Sequence, residues 1–462
     1  MTVTIGPGWT IGQGWSIGSG SSPLPPASAY YMGIVSATYD LNNTANDSAV
    51  DSAGNTFYIG PITVLSNGSY GLLLTKFNNQ GTLQWQRQLI GPGNQTTGSR
   101  IVISSTNDIY VAGYAVGGDG GAILVKYNTS GTLQWQKGFN GNSDAYGNGL
   151  AIDTSDNLYL GIQYHISGQS VAVLNKYDSA GTLQWTKQLS HPTGNNVYLN
   201  RVIVDSSSNA YTVGQTQLSG NYSSVQLAKY NTSGTLQWQQ ELFTNFTSSG
   251  GAGIALDSLG NIYVCGQTDS NNNAFKYDIL LAKLNSSGTV QWSRRLTTGT
   301  QTYNTFITVG QDIAIDSLDN IYICGQEKID PPEINYGIVA KYDTSGSLQW
   351  QRTITGNADI KLRSINVDSN STLYITGAIA PGNTASNGGS WLLLTVPSDG
   401  SLTGTYTDSG ISIVYASSAL NSWTGSLTSS ASSLVNSTGT GNASVTTLTA
   451  STSTYTVSTT EL

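Results

Sequence analysis

LAKYNTSGTLQW, residues 227–238, decides the fold, because the chain writes this sentence six times. The other copies are LTKFNNQGTLQW (74–85), LVKYNTSGTLQW (124–135), LNKYDSAGTLQW (174–185), LAKLNSSGTVQW (281–292) and VAKYDTSGSLQW (339–350). Their tryptophans are spaced by 50, 50, 53, 54 and 58 residues, and a decayed seventh copy, LLTVPSDGSLTG (393–404), follows. A period near 50 built of short strands and turns predicts a β-propeller with one blade per repeat.

The upstream half of each repeat is equally regular: an apolar strand, an Asp-Ser-x-[Gly/Asp]-Asn turn, then an apolar-Tyr-apolar-x-Gly strand. Examples are VIVDSSSNAYTVG (202–214), IALDSLGNIYVCG (254–266) and DIAIDSLDNIYICG (312–325). Weaker copies at 49–60, 101–113 and 365–377 join LAIDTSDNLYLG (150–161), so the count is again seven. Each repeat reads as four strands: A runs into the Asp turn, B carries the Tyr, C the Lys and D the Gln-Trp. Asp, Asn and Gly suit the turns because they tolerate positive φ and bond their own backbone. The array resembles the SBBP-type β-propeller repeat family in its Asp-x-x-Gly-Asn, Tyr-x-x-Gly and Lys-Tyr-x-x-x-Gly-x-x-x-Trp order. The resemblance covers residues 47–406 and implies an all-β, seven-bladed propeller; propellers host adhesins, enzymes and scaffolds alike.

Composition narrows the setting. Charged residues are 10% of the chain, Gly numbers 54, and the net charge is −8. Nucleic-acid binding needs clustered Lys and Arg, whereas the repeat lysines are dispersed one per blade, so nucleic acid is excluded as a partner. No apolar run reaches the length of a membrane span. The opening MTVTIGPGWTIGQGWSIG has neither a basic region nor a continuous hydrophobic core, so no export signal is read there. A polar, sparsely charged β-protein without one suggests a virion component, with an extracellular or cell-surface protein as the alternative.

Three regions follow. Residues 1–29 hold a six-residue repeat and a Pro-rich linker. Read as an extended strand, the repeat shows one bulky face, Ile5, Trp9, Ile11, Trp15 and Ile17, and one nearly bare glycine face. Such a segment could pack under the propeller or dock on a partner by strand addition. Its opening also resembles the GPGWxIGxG starts of structural proteins from marine tailed phages, including cyanophages. That resemblance implies attachment to other virion proteins, with a homo-oligomer in the assembly. Residues 30–409 are the propeller, where 30–38 either closes the ring or adds an outer strand, since 401–406 already supplies a D-like strand. Residues 410–462 are Ser/Thr-rich and too poor in apolar residues to fold alone; they form either a flexible tail or a wrap around a neighbour.

No convergent catalytic cluster is legible. His165 and His191 lack metal spacing, and no nucleophile elbow, phosphate loop or Cys-x-x-Cys occurs. The repeated aspartates Asp51, Asp153, Asp205, Asp257, Asp316 and Asp368 read as turn caps rather than calcium ligands. The six repeat lysines read as packing groups over aromatic rings, and Cys265 and Cys324 as small packed side chains. The expectation is therefore no enzyme, no cofactor and no metal. Recognition belongs to the face where the B–C and D–A connections vary from blade to blade. Tyr146, Tyr164, His165, Asn272, Tyr303 and Tyr336 are the candidate contacts for a host glycan or a virion protein. The alternative is that these loops are unconstrained connections.

Overall fold

The computed structural model describes residues 2–4, 9–13, 31–37 and 43–408, less the connections at 64–69, 92–94, 117–120, 140–144, 167, 192–194, 219–221, 245–247, 271–272, 298–306, 330–333 and 382–388. Six further strands lie between 411 and 460. Pairing sorts the strands into antiparallel units in A–B–C–D order. The first is Asp47–Val50, Thr56–Thr63, Tyr70–Phe77 and Leu83–Ile90. The fourth is Val197–Val204, Ala210–Gln217, Ser223–Tyr230 and Leu236–Thr244. Seven such units succeed one another among the described residues.

The core lies between blades, not within them. Tyr211 and Val213 of the fourth blade pack with Ile254 and Val264 of the fifth. Corresponding clusters join every consecutive pair. The last cluster sets Trp391 and Leu393 of the seventh blade against Tyr58 and Leu73 of the first, and the Trp391 indole N–H donates to the Pro61 carbonyl at 2.9 Å. The series therefore closes on itself.

The repeated sentence explains the outer rim. Each Lys ammonium stands over the B-strand aromatic of its own blade: Lys229 lies 4.8 Å from the Tyr211 ring and Lys176 4.9 Å from that of Tyr159. The same Tyr meets the D-strand Trp edge to face, as Tyr211 does Trp238. Trp then reaches the next blade: Trp185, Trp238 and Trp292 donate to the carbonyls of Thr232, Ser286 and Thr344 in the following C–D turn. The turn glycine of that blade, at positive φ, lies against the indole, so a Cβ on Gly234 would come 2.9 Å from Trp185. Lys, Gly and Trp form a latch between blades.

Tyr31–Ala37 closes the ring. It pairs with Ser390–Pro397 as the D strand of the seventh blade, Tyr31 lying opposite Thr395 just as Trp85 lies opposite Lys76. The expectation of a D strand at 401–406 is corrected: Gly404–Asp408 pairs instead with Ile411–Ser417, outside the sixth blade. One blade has room for one D strand, and the N-terminal segment fills it.

The C-terminal stretch wraps its own propeller, not a neighbour. Ile411–Ser417 lies against the D strand of the sixth blade, and Asn421–Gly425 and Leu427–Ala431 against those of the fifth and fourth. Val435–Thr438, Ala450–Ser451 and Thr456–Thr460 continue to the third, second and first. Trp9–Gln13 does the same for the seventh by pairing with Tyr31–Ala37. Every blade thus gains a fifth strand from one of the chain's own ends.

Candidate binding site

Six of the inner A strands contain a β-bulge at one fixed place, for example between Leu199 and Arg201 or between Gly310 and Asp312. The extra residue lies five positions before the A–B turn. The seven positions are Asn46 (just ahead of its strand), Ser99, Asn148, Asn200, Ala252, Gln311 and Arg363. All seven border a single cavity of about 380 Å³. One residue from each of seven consecutive blades can meet only on the ring axis. Bulges re-aim a side chain out of the strand's alternation, and here they aim a polar set at the axis. Three carboxamides also tie blade to blade: Asn46, Asn148 and Asn200 donate to the carbonyls of Gly98, Leu199 and Gly251 at 2.8, 3.2 and 2.7 Å.

The bulge dictates the repeated glycine of the B strand. A Cβ on Gly214 would lie 1.9 Å from the Tyr198 carbonyl oxygen, and one on Gly325 2.1 Å from that of Val309. The Tyr-x-x-Gly motif therefore permits the bulge, and the bulge supplies the axial ring.

The next residue in each strand is Asp47, Arg100, Gly149, Arg201, Gly253, Asp312 or Ser364. Arg201 bonds Asp312 and lies 3.7 Å from Asp47. The single Ser364 hydroxyl proton lies between two carboxylates, 2.7 Å from Asp47 and 3.0 Å from Asp312, and can serve one at a time. Burial works against the Arg201 charge, but these two carboxylates hold its pKa above the ordinary value. Cys265 and Cys324 are free and buried nearby, their thiols pushed up by burial and by Asp312.

The turn aspartates do what the sequence assigns them. Asp205 Oδ1 accepts from the backbone of Ser207 and Asn209, and Oδ2 from the Asn209 amide and the Tyr211 hydroxyl. Burial opposes ionisation, yet these bonds hold Asp205 below the usual carboxylate range. Among the described residues no group of three His, Cys, Asp or Glu is placed to hold a metal.

The predicted loop-face contacts fare unevenly. Tyr146 is half-buried and packs edge to face on Tyr114 with ring centroids 5.0 Å apart; the Tyr114 hydroxyl lies 3.4 Å from that of Tyr70. His165 is exposed, 3.2 Å from the Ser170 hydroxyl. Tyr336 is half-buried. Tyr164 is a correction: the strand Leu158–Ile166 runs on past it and turns it into the core at 2% exposure. Asn272 and Tyr303 lie outside the described residues, as do Ile5, Trp15 and Ile17. Trp9 and Ile11 sit in the strand paired with the chain's own Tyr31–Ala37, so the docking segment is engaged within its own seventh blade. The axial ring escaped the sequence reading. Its signal is a residue at a constant offset before the A–B turn that is polar in six of the seven blades, Ala252 being the exception.

Fold and site define a β-propeller with a polar axial cavity. The SBBP β-propeller repeat matches residues 84–120, 184–218 and 240–272. Among solved structures, an ulvan lyase of a polysaccharide lyase family superposes with TM-score 0.52 at 13% identity, covering 81% of this chain and 96% of that one. The same kind of enzyme solved bound to -[GlcA(1-4)Rha3S]- gives 0.51, again at 13%, over 78% and 96%. No curated protein sequence matches this chain. The expectation that the chain is not an enzyme is overturned by these neighbours, because they are enzymes on this architecture. A propeller draws a site from several blades, so a missing linear motif does not exclude catalysis.

Proposed function

We propose that this chain is a recognition propeller that binds a carbohydrate on its loop face, displayed on a virion or on a cell surface. The observation that carries the reading is the run Tyr70, Tyr114 and Tyr146. It sets half-buried rings from three blades side by side at the strand ends where the B–C and D–A connections leave. Phenol rings offer flat stacking faces and a polar edge at low entropic cost, which suits sugars. The shared architecture with a lyase solved on -[GlcA(1-4)Rha3S]- supports an acidic saccharide as the first ligand to try. The virion setting rests on the sparse charge and on the opening Gly-Trp repeat.

The test is calorimetric titration of the purified chain with an acidic, sulfated oligosaccharide and with a neutral one. Tyr114→Ala with Tyr146→Ala is expected to weaken binding by about tenfold or more while the protein remains folded. Undiminished affinity in that double variant would remove the reading. The same mixtures, followed for unsaturated uronate, report whether binding leads to eliminative cleavage.

A further inference from the structure

We propose that the axial cavity is an oxyanion site, shaped to hold a sulfate or carboxylate group between Arg100 and Arg363. Both arginines border the cavity, and no carboxylate lines it. Arg100 Nη1 donates to the Ser99 carbonyl at 3.1 Å and Nη2 reaches that of Asn200 at 3.4 Å, but its buried Nε–H has no acceptor. Arg363 makes neither a hydrogen bond nor an ion pair within the described chain. A guanidinium carries five donors, and buried donors are ordinarily satisfied.

The nearby carboxylates are already engaged. Asp312 accepts from Arg201 and from the Ile365 amide. Asp47 accepts from the Ser364 hydroxyl and from the Ile101 amide. Three guanidiniums meet two carboxylates on the axis, which leaves one positive charge uncompensated in a chain of net charge −8. Burial, then the Arg201 charge, pushes Arg100 down to about 10, with Arg363 adding to the effect; burial lowers Arg363 as well. An anion would relieve all of this at once. The cavity is many times the roughly 30 Å³ share of one water, and Gln311 adds a carboxamide without a hydrogen-bond partner among the described residues. A planar fork suits the two oxygens of a carboxylate or sulfate.

The proposal stands apart from the loop-face reading, since none of the three tyrosines lines the cavity. The full chain is titrated with sodium sulfate at ionic strength held constant by chloride, and separately with a sulfated oligosaccharide; melting temperature and calorimetry are the readouts. Sulfate is expected to raise the melting temperature saturably. Arg363→Gln and Arg100→Met should each weaken that response by about tenfold or more. Arg100→Met should also melt higher than the parent without sulfate, because it removes a partly buried charge whose neighbouring carboxylates, Asp47 and Asp312, are already engaged. If Arg100→Met does not fold, Arg363→Gln decides. Tighter binding of the oligosaccharide would make the occupant a polymer-borne group, and equal or weaker binding a free anion. No saturable response to either probe, or one unchanged in Arg363→Gln, would overturn the site.

Discussion

Glu327 departs from its repeat at the scale of one side chain. The equivalent position, two past the B-strand glycine, is Ile62, Ala115 and Ile379 in three blades and the neutral polar Gln163, Thr216 and Thr268 in the other three, so Glu327 alone brings an ionisable group there. Glu327 keeps the register, opposite Thr308 and Tyr336, and is 7% exposed with no hydrogen-bond partner in the described chain. Burial pushes its pKa up to about 7 from 4.5. The folded state therefore holds a proton that the unfolded chain releases between those values, so this group subtracts stability as pH rises through the window, fully above about 7. Glu327→Gln is expected to stabilise the protein by about 3 kcal/mol at pH 8.5 and to leave it unchanged near pH 4. Urea denaturation at the two pH values checks this. An equal effect at both would mean that packing, not ionisation, sets the difference.

Elements divide into those that local chemistry announces and those that only packing makes. The A–B and C–D turns were legible because their bonds close within four residues: Asp205 caps Asn209, and Asn231 caps Thr235. The blade repeat was legible because Lys, Gly and Trp meet in a fixed latch. The A-strand bulge was not, since nothing local in Leu199-Asn200-Arg201 states that the crossing B strand will lack a side chain. Tyr164 reads in sequence as part of a variable B–C connection, but the paired strand continues past it to Ile166. The close approach at Gly214 gives a direct check. Gly214→Ala places a methyl group on the Tyr198 carbonyl, and with backbone on both sides neither partner can yield cheaply. A loss of about 3 kcal/mol in denaturant unfolding is expected, whereas Gly168→Ala, with nothing within 4 Å but a φ of +81°, should cost about 1 kcal/mol.

Over the whole molecule, the strand edges decide what the two ends are for. Each D strand would be the outermost of its blade, and an open edge invites pairing with another chain. A Ser/Thr-rich segment with few apolar residues cannot fold alone, but it can add backbone hydrogen bonds to an edge that is already ordered. That is how residues 411–460 are used, running backwards from the sixth blade to the first, while Trp9–Gln13 covers the seventh. The start of this belt joins the core: Ile413 and Tyr415 pack in the cluster between the sixth and seventh blades. Ending the chain after residue 420 keeps that anchor and uncovers the D strands of the first five blades. Such a protein should still unfold cooperatively, with a melting temperature a few degrees lower, and should associate as its concentration rises while the full chain does not. Light scattering across a dilution series reads this directly. A shortened chain that stays monomeric throughout would show that the belt does not guard the edges, and one that fails to fold would make the belt part of the propeller's core.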